Sequence, residues 1–334
     1  MTVGDSHLPY AGAMRAAFVE AANPADPLAA LVVGERPDPT PGDGWVNVRV
    51  RAASVNHHDV WSLRGVGLPA ERMPMILGTD AVGTTADGRE VLVHAVISSA
   101  GWSGDETLDP RRSLLSEQHQ GTFAEWVAVP EANLVDKPAG LSWEEAACVP
   151  TAYLTAFRML TRDSGLWKPG TVLVQGTSGG VASAAIQVAK ALGHRVWATA
   201  RSEAKREFGL ALGADEVFEP GARLPERVDL VVETVGEATW SHSLKSLRPG
   251  GTVVVCGATS GPNPPADLNR VFFLQLRVIG STMGTRSELE GVLSLMERTG
   301  MRPPIDRVVG FDALPAAMAA LGAGEVLGKV VLTP

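Results

Sequence analysis

The chain has 334 residues, 45% of them hydrophobic and 20% charged, which is material for two globular cores and excludes a disordered or fibrous chain. A formal net charge of −8 with no basic run excludes nucleic acid as the natural partner, because an acidic surface gains nothing from counterion release. Two distant cysteines, Cys148 and Cys256, exclude a disulfide framework and a thiolate-rich zinc site and point to the reducing cytosol; no apolar run reaches the ~20 residues that span a bilayer.

Residues 1–13 have neither a basic leader nor an apolar core. They read as a loose extension before Met14, which could itself be the natural start. From Met14 to Pro138 the pattern is mainly strand. Met14–Glu20, Trp45–Val55, Arg89–Ile97 and Phe123–Pro130 alternate with period two or form β-branched runs. Pro37, Pro39, Pro41, Gly42 and Gly44 mark a turn. The stretch from Ile97 to Gly121 is polar and aperiodic, a loop long enough to form a lobe.

A second rhythm follows. Trp143–Thr161 reads as a helix. Strands at Thr171–Gln175, Arg195–Ala200, Glu216–Pro220, Val228–Gly236 and Gly251–Ala258 interleave with helices at Gly180–Gly193 and Glu203–Gly213. That alternation predicts a doubly wound parallel sheet. Helices at Ser287–Gly300 and Ala313–Gly324 and strands at Ile305–Phe311 and Gly328–Pro334 complete the chain. The last strands share the first region's character, so the expected division is 14–138 with 286–334 around a Rossmann unit at 139–285.

Gly176-Thr177-Ser178-Gly179-Gly180-Val181-Ala182 follows the first strand of that unit. A turn with few side chains lets backbone N–H groups reach a pyrophosphate at a helix N-terminus. Against G-x-G-x-x-G/A, Thr177 departs at the first place while Gly179 and Ala182 match the second and third. The strand before and the small-faced helix after supply the context the motif needs. At the end of the second strand, where an acid would hold the ribose hydroxyls of NAD, the chain reads Arg201, Ser202 and Lys205. These groups suit a 2′-phosphate, so NADP(H) is the expected cofactor.

The segments Asn56-His57-His58-Asp59-Val60-Trp61, Gly78-Thr79-Asp80-Ala81-Val82-Gly83, Gly121-Thr122-Phe123-Ala124-Glu125, Leu212-Gly213-Ala214-Asp215 and Gly328-Lys329-Val330-Val331-Leu332, with the glycine turn, resemble the medium-chain dehydrogenases/reductases. Within them the chain looks nearest the quinone oxidoreductase and zinc-type alcohol dehydrogenase-like branches. The resemblance covers nearly everything from Met14 onward. It implies an α/β protein with a GroES-like β-barrel catalytic domain, a cleft between barrel and cofactor domain, and a homodimer paired through the edges of the cofactor sheets.

It also implies ligand positions for a catalytic zinc, and this chain departs at each. Asn56 stands for the first Cys, Thr79 for the His, Asp80 for the Glu and Thr151 for the second Cys. A carboxamide and two hydroxyls are poor zinc donors, so no catalytic zinc is expected. A set of His58, Asp80 and Cys148 is the one conceivable alternative. The lobe 97–121 keeps the length of the relatives' structural-zinc lobe without a single Cys. It is expected to be loose, or ordered only by Trp102 and Leu114.

Without a Lewis acid, hydride addition to an enone or quinone is easier than alcohol oxidation. Asn56 is the first candidate donor to the developing enolate and His58 the second, standing where zinc relatives have the hydroxyl of their proton relay. For His57, a hydrogen bond within the barrel is preferred. Trp61 replaces a Tyr often found in quinone oxidoreductases and would line the substrate pocket with Phe273. Further cofactor contacts are implied for Thr151, Thr155, Ser178, Gly180, Val181, Thr234, Val235, Gly257, Ala258, Phe272 and Lys329. The expectation is an NADPH-dependent quinone or enone reductase in the cytosol. An alcohol or carbonyl dehydrogenase of the same superfamily, or a non-catalytic NADPH binder, stands beside it.

Overall fold

The computed structural model describes residues 12–334. The expected extension falls outside them except for Gly12 and Ala13. Strand Trp45–Ser54 is the hub of the barrel. Its first half pairs with Trp126–Pro130, residues 48–54 with Asp80–Thr85, and its end with Lys329–Leu332, all antiparallel. Glu90–Val93 and Leu134–Asp136 extend the sheet on one side, and Ile305–Val309 on the other. The register is what matters for the site. Ser54 lies directly opposite Asp80 on one side and Val331 on the other, so Lys329 arrives two residues away on the same rim. A small sheet of Leu31–Pro37, Ala13–Val19 and Met75–Ile76 closes one flank.

The cofactor sheet holds six parallel strands: β1 (Thr171–Val174), β2 (Arg195–Thr199), β3 (Glu216–Phe218), β4 (Val228–Glu233), β5 (Leu247–Val255) and β6 (Arg277–Gly280). Their order is 3-2-1-4-5-6, the dinucleotide-binding arrangement with its crevice at the reversal between β1 and β4. The near-continuous Val/Leu runs of β1 and β4 are buried on both faces, as a sheet with helices on both sides requires. β6 has no sheet partner on its outer side among the described residues.

One element differs from expectation. Residues 143–161 do not form one helix. Helix Trp143–Ala147 passes through a wide π turn, Val149–Tyr153, into helix Leu154–Leu160. Pro150 has no N–H to continue the ladder, and the turn widens around it. Helix Arg286–Thr299 packs its buried Leu289, Val292, Leu293 and Met296 in the core shared with helix Leu154–Leu160, and its Arg286 donates to the Leu134 carbonyl of the barrel at 2.9 Å. Its Glu288 accepts from the buried Arg158 of helix Leu154–Leu160 at 2.8 Å.

Candidate active site

At the glycine turn, Gly176 has a φ of +96°, which lets β1 turn into the helix Gly180–Ala191. Thr177, the departure from the motif, is accommodated. Its hydroxyl donates to the Lys205 carbonyl at 2.8 Å, and its methyl sits where a Cβ on Gly209 would come within 2.6 Å. The threonine in one helix turn is thus matched by a glycine in the next helix. Around Gly179 a Cβ would meet nothing within 4 Å. A methyl group added there would project into open space. Gly179→Ala is therefore expected to melt within about 2 °C of the parent, while the NADPH KM rises about tenfold or more. A KM unchanged in that variant would show that the phosphates do not lie there.

Ser178 is pinned by the Gly328 N–H at 2.9 Å, so the barrel's Lys329 strand is tied to the cofactor turn. At the end of β2, Ser202 caps the helix Glu203–Ala211, and Arg201 is exposed beside it. The Lys205 ammonium donates to the Gly324 carbonyl at 2.6 Å. Burial, and then the Arg201 charge, hold its pKa below the usual lysine value. The acid in the neighbourhood, Glu203, pairs with Arg206 at 2.5 Å rather than with either cation. Two close cations without a carboxylate make a place for an added phosphate. On the far side of the crevice, Thr234 and Val235 follow β4 and Gly257-Ala258 follow β5. A Cβ on Gly257 would come within 2.9 Å of the Thr234 carbonyl, so glycine allows this approach. Val181 is half-buried in the first turn of its helix, and Thr155 is buried on helix Leu154–Leu160.

The four positions that would carry zinc ligands form a closed polar network. Asp80, fully buried, accepts from Ser54 Oγ at 2.6 Å, from Asn56 Nδ2 at 2.9 Å and from the Thr151 hydroxyl. Thr79 and Thr151 share a hydroxyl contact at 3.0 Å. The buried Lys329 ammonium donates to Asn56 Oδ1 at 2.6 Å and the Val55 carbonyl at 2.9 Å, and lies 3.7 Å from Asp80. Burial pushes the Asp80 carboxyl up, against the lowering pull of Lys329 and the three hydrogen bonds. This set does not fit a zinc ion. An ammonium already supplies the cation, and the oxygens that face it are engaged. Cys148 donates to the Glu144 carbonyl and burial lifts its thiol to about 12, so it is no partner for His58 and Asp80. Among the described residues no cluster of three or more His, Cys, Asp or Glu is placed to hold a metal.

Two expectations are corrected here. Asn56 does not present its amide to the cleft, because its N–H groups point inward to Asp80, with the Ser54 carbonyl at 3.3 Å and Thr79 at 3.4 Å beyond. Lys329 does not reach outward to a phosphate either. Its stem lies against Gly180 while its ammonium turns into the barrel.

His57 and His58 open a short helix, His57–Leu63, instead of extending a strand. Asp59 in its first turn accepts from the Asn56 N–H at 2.8 Å and the Gly78 N–H at 3.1 Å, which locks the helix to the Gly78 turn. Burial, then Lys329, lower the pKa of His57 against the opposing pull of Asp59. His58 behaves oppositely. Burial lowers it, but the charge of Asp59 at 4.0 Å and the hydrogen bond and charge of Glu117 raise it to about 9. Its Nε2 lies 2.9 Å from Glu117 Oε1 and a quarter of its side chain is exposed.

Glu117 comes from the lobe, and the lobe is ordered in a way the sequence reading missed. Trp102 is 39% exposed and anchors little. Leu115 is fully buried, and Leu114 is half-buried against the same core. Asp109 accepts from the Ser99 and Arg111 N–H groups at 2.6 and 2.8 Å, and Asp105 pairs with Arg158 at 2.7 Å and with Arg162. Carboxylates do the cross-linking that cysteines and a metal would otherwise do. Trp61 is half-buried with Arg64 stacked on its ring at 4.9 Å. Phe272 and Phe273, expected at the cofactor and the substrate pocket, are exposed. They sit on a short helix, Leu268–Phe273, with 64% and 82% of their surfaces exposed beside β6.

The model of the alcohol dehydrogenase GroES-like domain matches residues 42–139, and that of the zinc-binding dehydrogenases matches 180–298. The acryloyl-coenzyme A reductase of Sulfurisphaera tokodaii is 32% identical over 321 residues, covering 90% of this chain and 95% of the relative. Among solved structures, an NAD-dependent alcohol dehydrogenase superposes with a TM-score of 0.88 at 36% identity, over 96% of this chain and 100% of the other. The 2-octenoyl-CoA carboxylase reductase CinF, solved with NADP and 2-octenoyl-CoA, does so at 0.87 and 26% identity, over 96% and 87%. No helix among the described residues is long and apolar enough to cross a membrane. With its barrel, its six-stranded cofactor sheet and its phosphate corner, the chain belongs to the medium-chain dehydrogenase/reductase superfamily and is an NADP(H)-dependent oxidoreductase.

Proposed function

We propose that this chain uses NADPH to reduce the carbon–carbon double bond of α,β-unsaturated carbonyl compounds, coenzyme A thioesters foremost. The observation that carries the reading is the network of Lys329, Asn56, Asp80 and Thr151 at the expected metal position. Oxidation of a simple alcohol needs its alkoxide stabilised by a Lewis acid, and these residues leave no place for one. Hydride addition at the β-carbon of an enoyl group builds an enolate, which hydrogen-bond donors alone can stabilise. Bound NADPH supplies the hydride. The chain supplies position and the proton. His58, kept protonated at neutral pH by Asp59 and Glu117, is the donor to the α-carbon. The relatives that reduce acryloyl- and octenoyl-thioesters support this substrate class over quinones.

Protein dialysed against a chelator and analysed for metal is the material for the test. NADPH absorbance loss is followed with acryloyl-CoA, crotonyl-CoA, a small enone and a quinone, and NADP⁺ reduction with a primary alcohol. Turnover of the enoyl thioesters is expected with far less than one zinc per chain. Alcohol oxidation that requires stoichiometric zinc would overturn the reading in favour of an alcohol dehydrogenase. NADPH binding without any turnover would favour a non-catalytic binder.

A further inference from the structure

The lobe holds one more feature that its cross-links do not explain. Ser116 is fully buried with a φ of +70°, a left-handed backbone that a non-glycine residue adopts at a cost. Its hydroxyl is buried without a hydrogen-bond partner. Nothing about packing rewards that conformation. The turn is nonetheless fastened on both sides. The Ser116 N–H donates to the His119 carbonyl at 2.8 Å, Ser113 Oγ meets His119 Nε2 at 2.8 Å, and the His119 ring lies 4.9 Å from that of Trp45. What the turn achieves is the direction of the next residue. Glu117 is carried out of the lobe to His58, 59 positions earlier in the chain. Opposite it, Gly67 has a φ of +77°, and a Cβ there would lie 3.2 Å from Glu117 Oε1. A strained serine on one side and a glycine on the other thus leave a slot of carboxylate size at the His58 ring.

We propose that Glu117 is a positioning residue for His58, and that the lobe is retained without its metal because its Ser116 turn delivers this carboxylate. The inference rests on the reductase reading above, in which His58 is the proton donor. Glu117 accepts from the Nε2–H and fixes the plane of the ring. The other ring nitrogen, Nδ1, is buried without a partner, 4.0 Å from Asp59. Asp59 from its own helix and Glu117 from the lobe are the charged groups that face the ring. In turnover the Nε2 proton leaves its hydrogen bond to Glu117 for the α-carbon, His58 is left neutral, and a proton from water restores the imidazolium and its bond to Glu117.

The test uses Glu117→Gln in the full chain. Histidine side-chain NMR without substrate reads the His58 midpoint, with His58→Gln as the assignment control. The parent is expected to titrate near 9. The variant is expected to fall toward the ordinary ~6.5, since Asp59 is then the one carboxylate left to oppose burial. The pH profile of kcat with an enoyl thioester is then compared. The parent loses activity above about pH 9, whereas the variant loses it from about pH 6.5, a deficit of about thirtyfold at pH 8 that closes near pH 6, with the NADPH KM unchanged. Gly67→Ala, which crowds the carboxylate without removing it, is expected to shift both readings partway and serves if the first variant misfolds. A midpoint unmoved by either variant would overturn the proposal. So would a moved midpoint with an unmoved kcat profile, which would leave an ordinary ion pair. Absence of turnover in the parent would overturn the reductase reading, and the substrate-free NMR midpoint tells that result apart from a failure of the pairing.

Discussion

Lys329→Met is expected to cost about 3–5 kcal/mol of stability at neutral pH, the range for breaking a buried ion pair by removing one partner. The methionine stem fills the space beside Gly180, but Asn56 Oδ1 and the Val55 carbonyl lose their donor and Asp80 loses its counter-charge. The loss should depend on pH in a defined sense. Asp80 already has a carboxyl pKa raised above 3.8 by burial, and without Lys329 nothing cationic opposes that. A folded-state pKa above the unfolded one stabilises fully below the unfolded value and loses its effect as pH rises through the folded value. The variant is therefore expected to lie closest to the parent near pH 4 and farthest from it above neutrality. Lys329→Met/Asp80→Asn should recover much of the loss, because the amide is buried without a charge. Chemical denaturation of the three proteins at pH 5 and pH 8 decides it. A single variant within about 1 kcal/mol of the parent at pH 8 would mean that Lys329 is not the cation that balances this site.

The second large effect concerns the phosphate corner. Each charge-assisted hydrogen bond to a phosphate is worth about 1.5–3 kcal/mol, so Arg201→Ala/Lys205→Ala is expected to raise the NADPH KM about 10²–10⁴-fold. The NADH KM should stay within about threefold, because no 2′-phosphate is lost there. Steady-state kinetics with both cofactors separates the cases. An equal rise for both would place the two cations at the pyrophosphate or in the structure. Lys205→Ala alone carries a second consequence, since its ammonium also holds the Gly324 carbonyl. The double variant should be checked for an altered melting temperature before the kinetics are read.

The cofactor half of the fold was legible because its signals are local. A Val-rich strand, a glycine turn and a small-faced helix lie within about 20 residues of each other, and the missing acid after β2 is a single position. The departure at Thr177 read as a weakness of the motif because its match, Gly209, lies in another helix. The catalytic side was legible as identities and not as directions. Asn56, Thr79, Asp80, Thr151 and Lys329 were all singled out, yet Asn56 bonds Lys329 across 273 positions, and no periodicity reports where an amide points. His57–Leu63 is too short for a 3.6-residue pattern to declare itself, so no helix was legible there. Glu117 gave no signal at all, standing in a polar loop where carboxylates are ordinary. Phe272 and Phe273 were singled out by their position in the family pattern, and they lie exposed beside β6.

The position of Lys329–Leu332 in the barrel has a consequence for biosynthesis. This strand pairs with residues 53 and 54, yet the ribosome makes it only after the entire cofactor sheet. A nascent chain of some 280 residues can therefore complete the parallel sheet while its barrel still gapes along one seam. Ala53 and Ser54 then present an unpaired edge, and Asp80 lies next to an empty place for its ammonium. Such an edge is an invitation to wrong partners, and its closure has the high sequence separation that makes folding slow. Among the steps of folding, sealing that seam is the one for which a molecular chaperone would matter most, and the same stroke that seals it sets Lys329 in place.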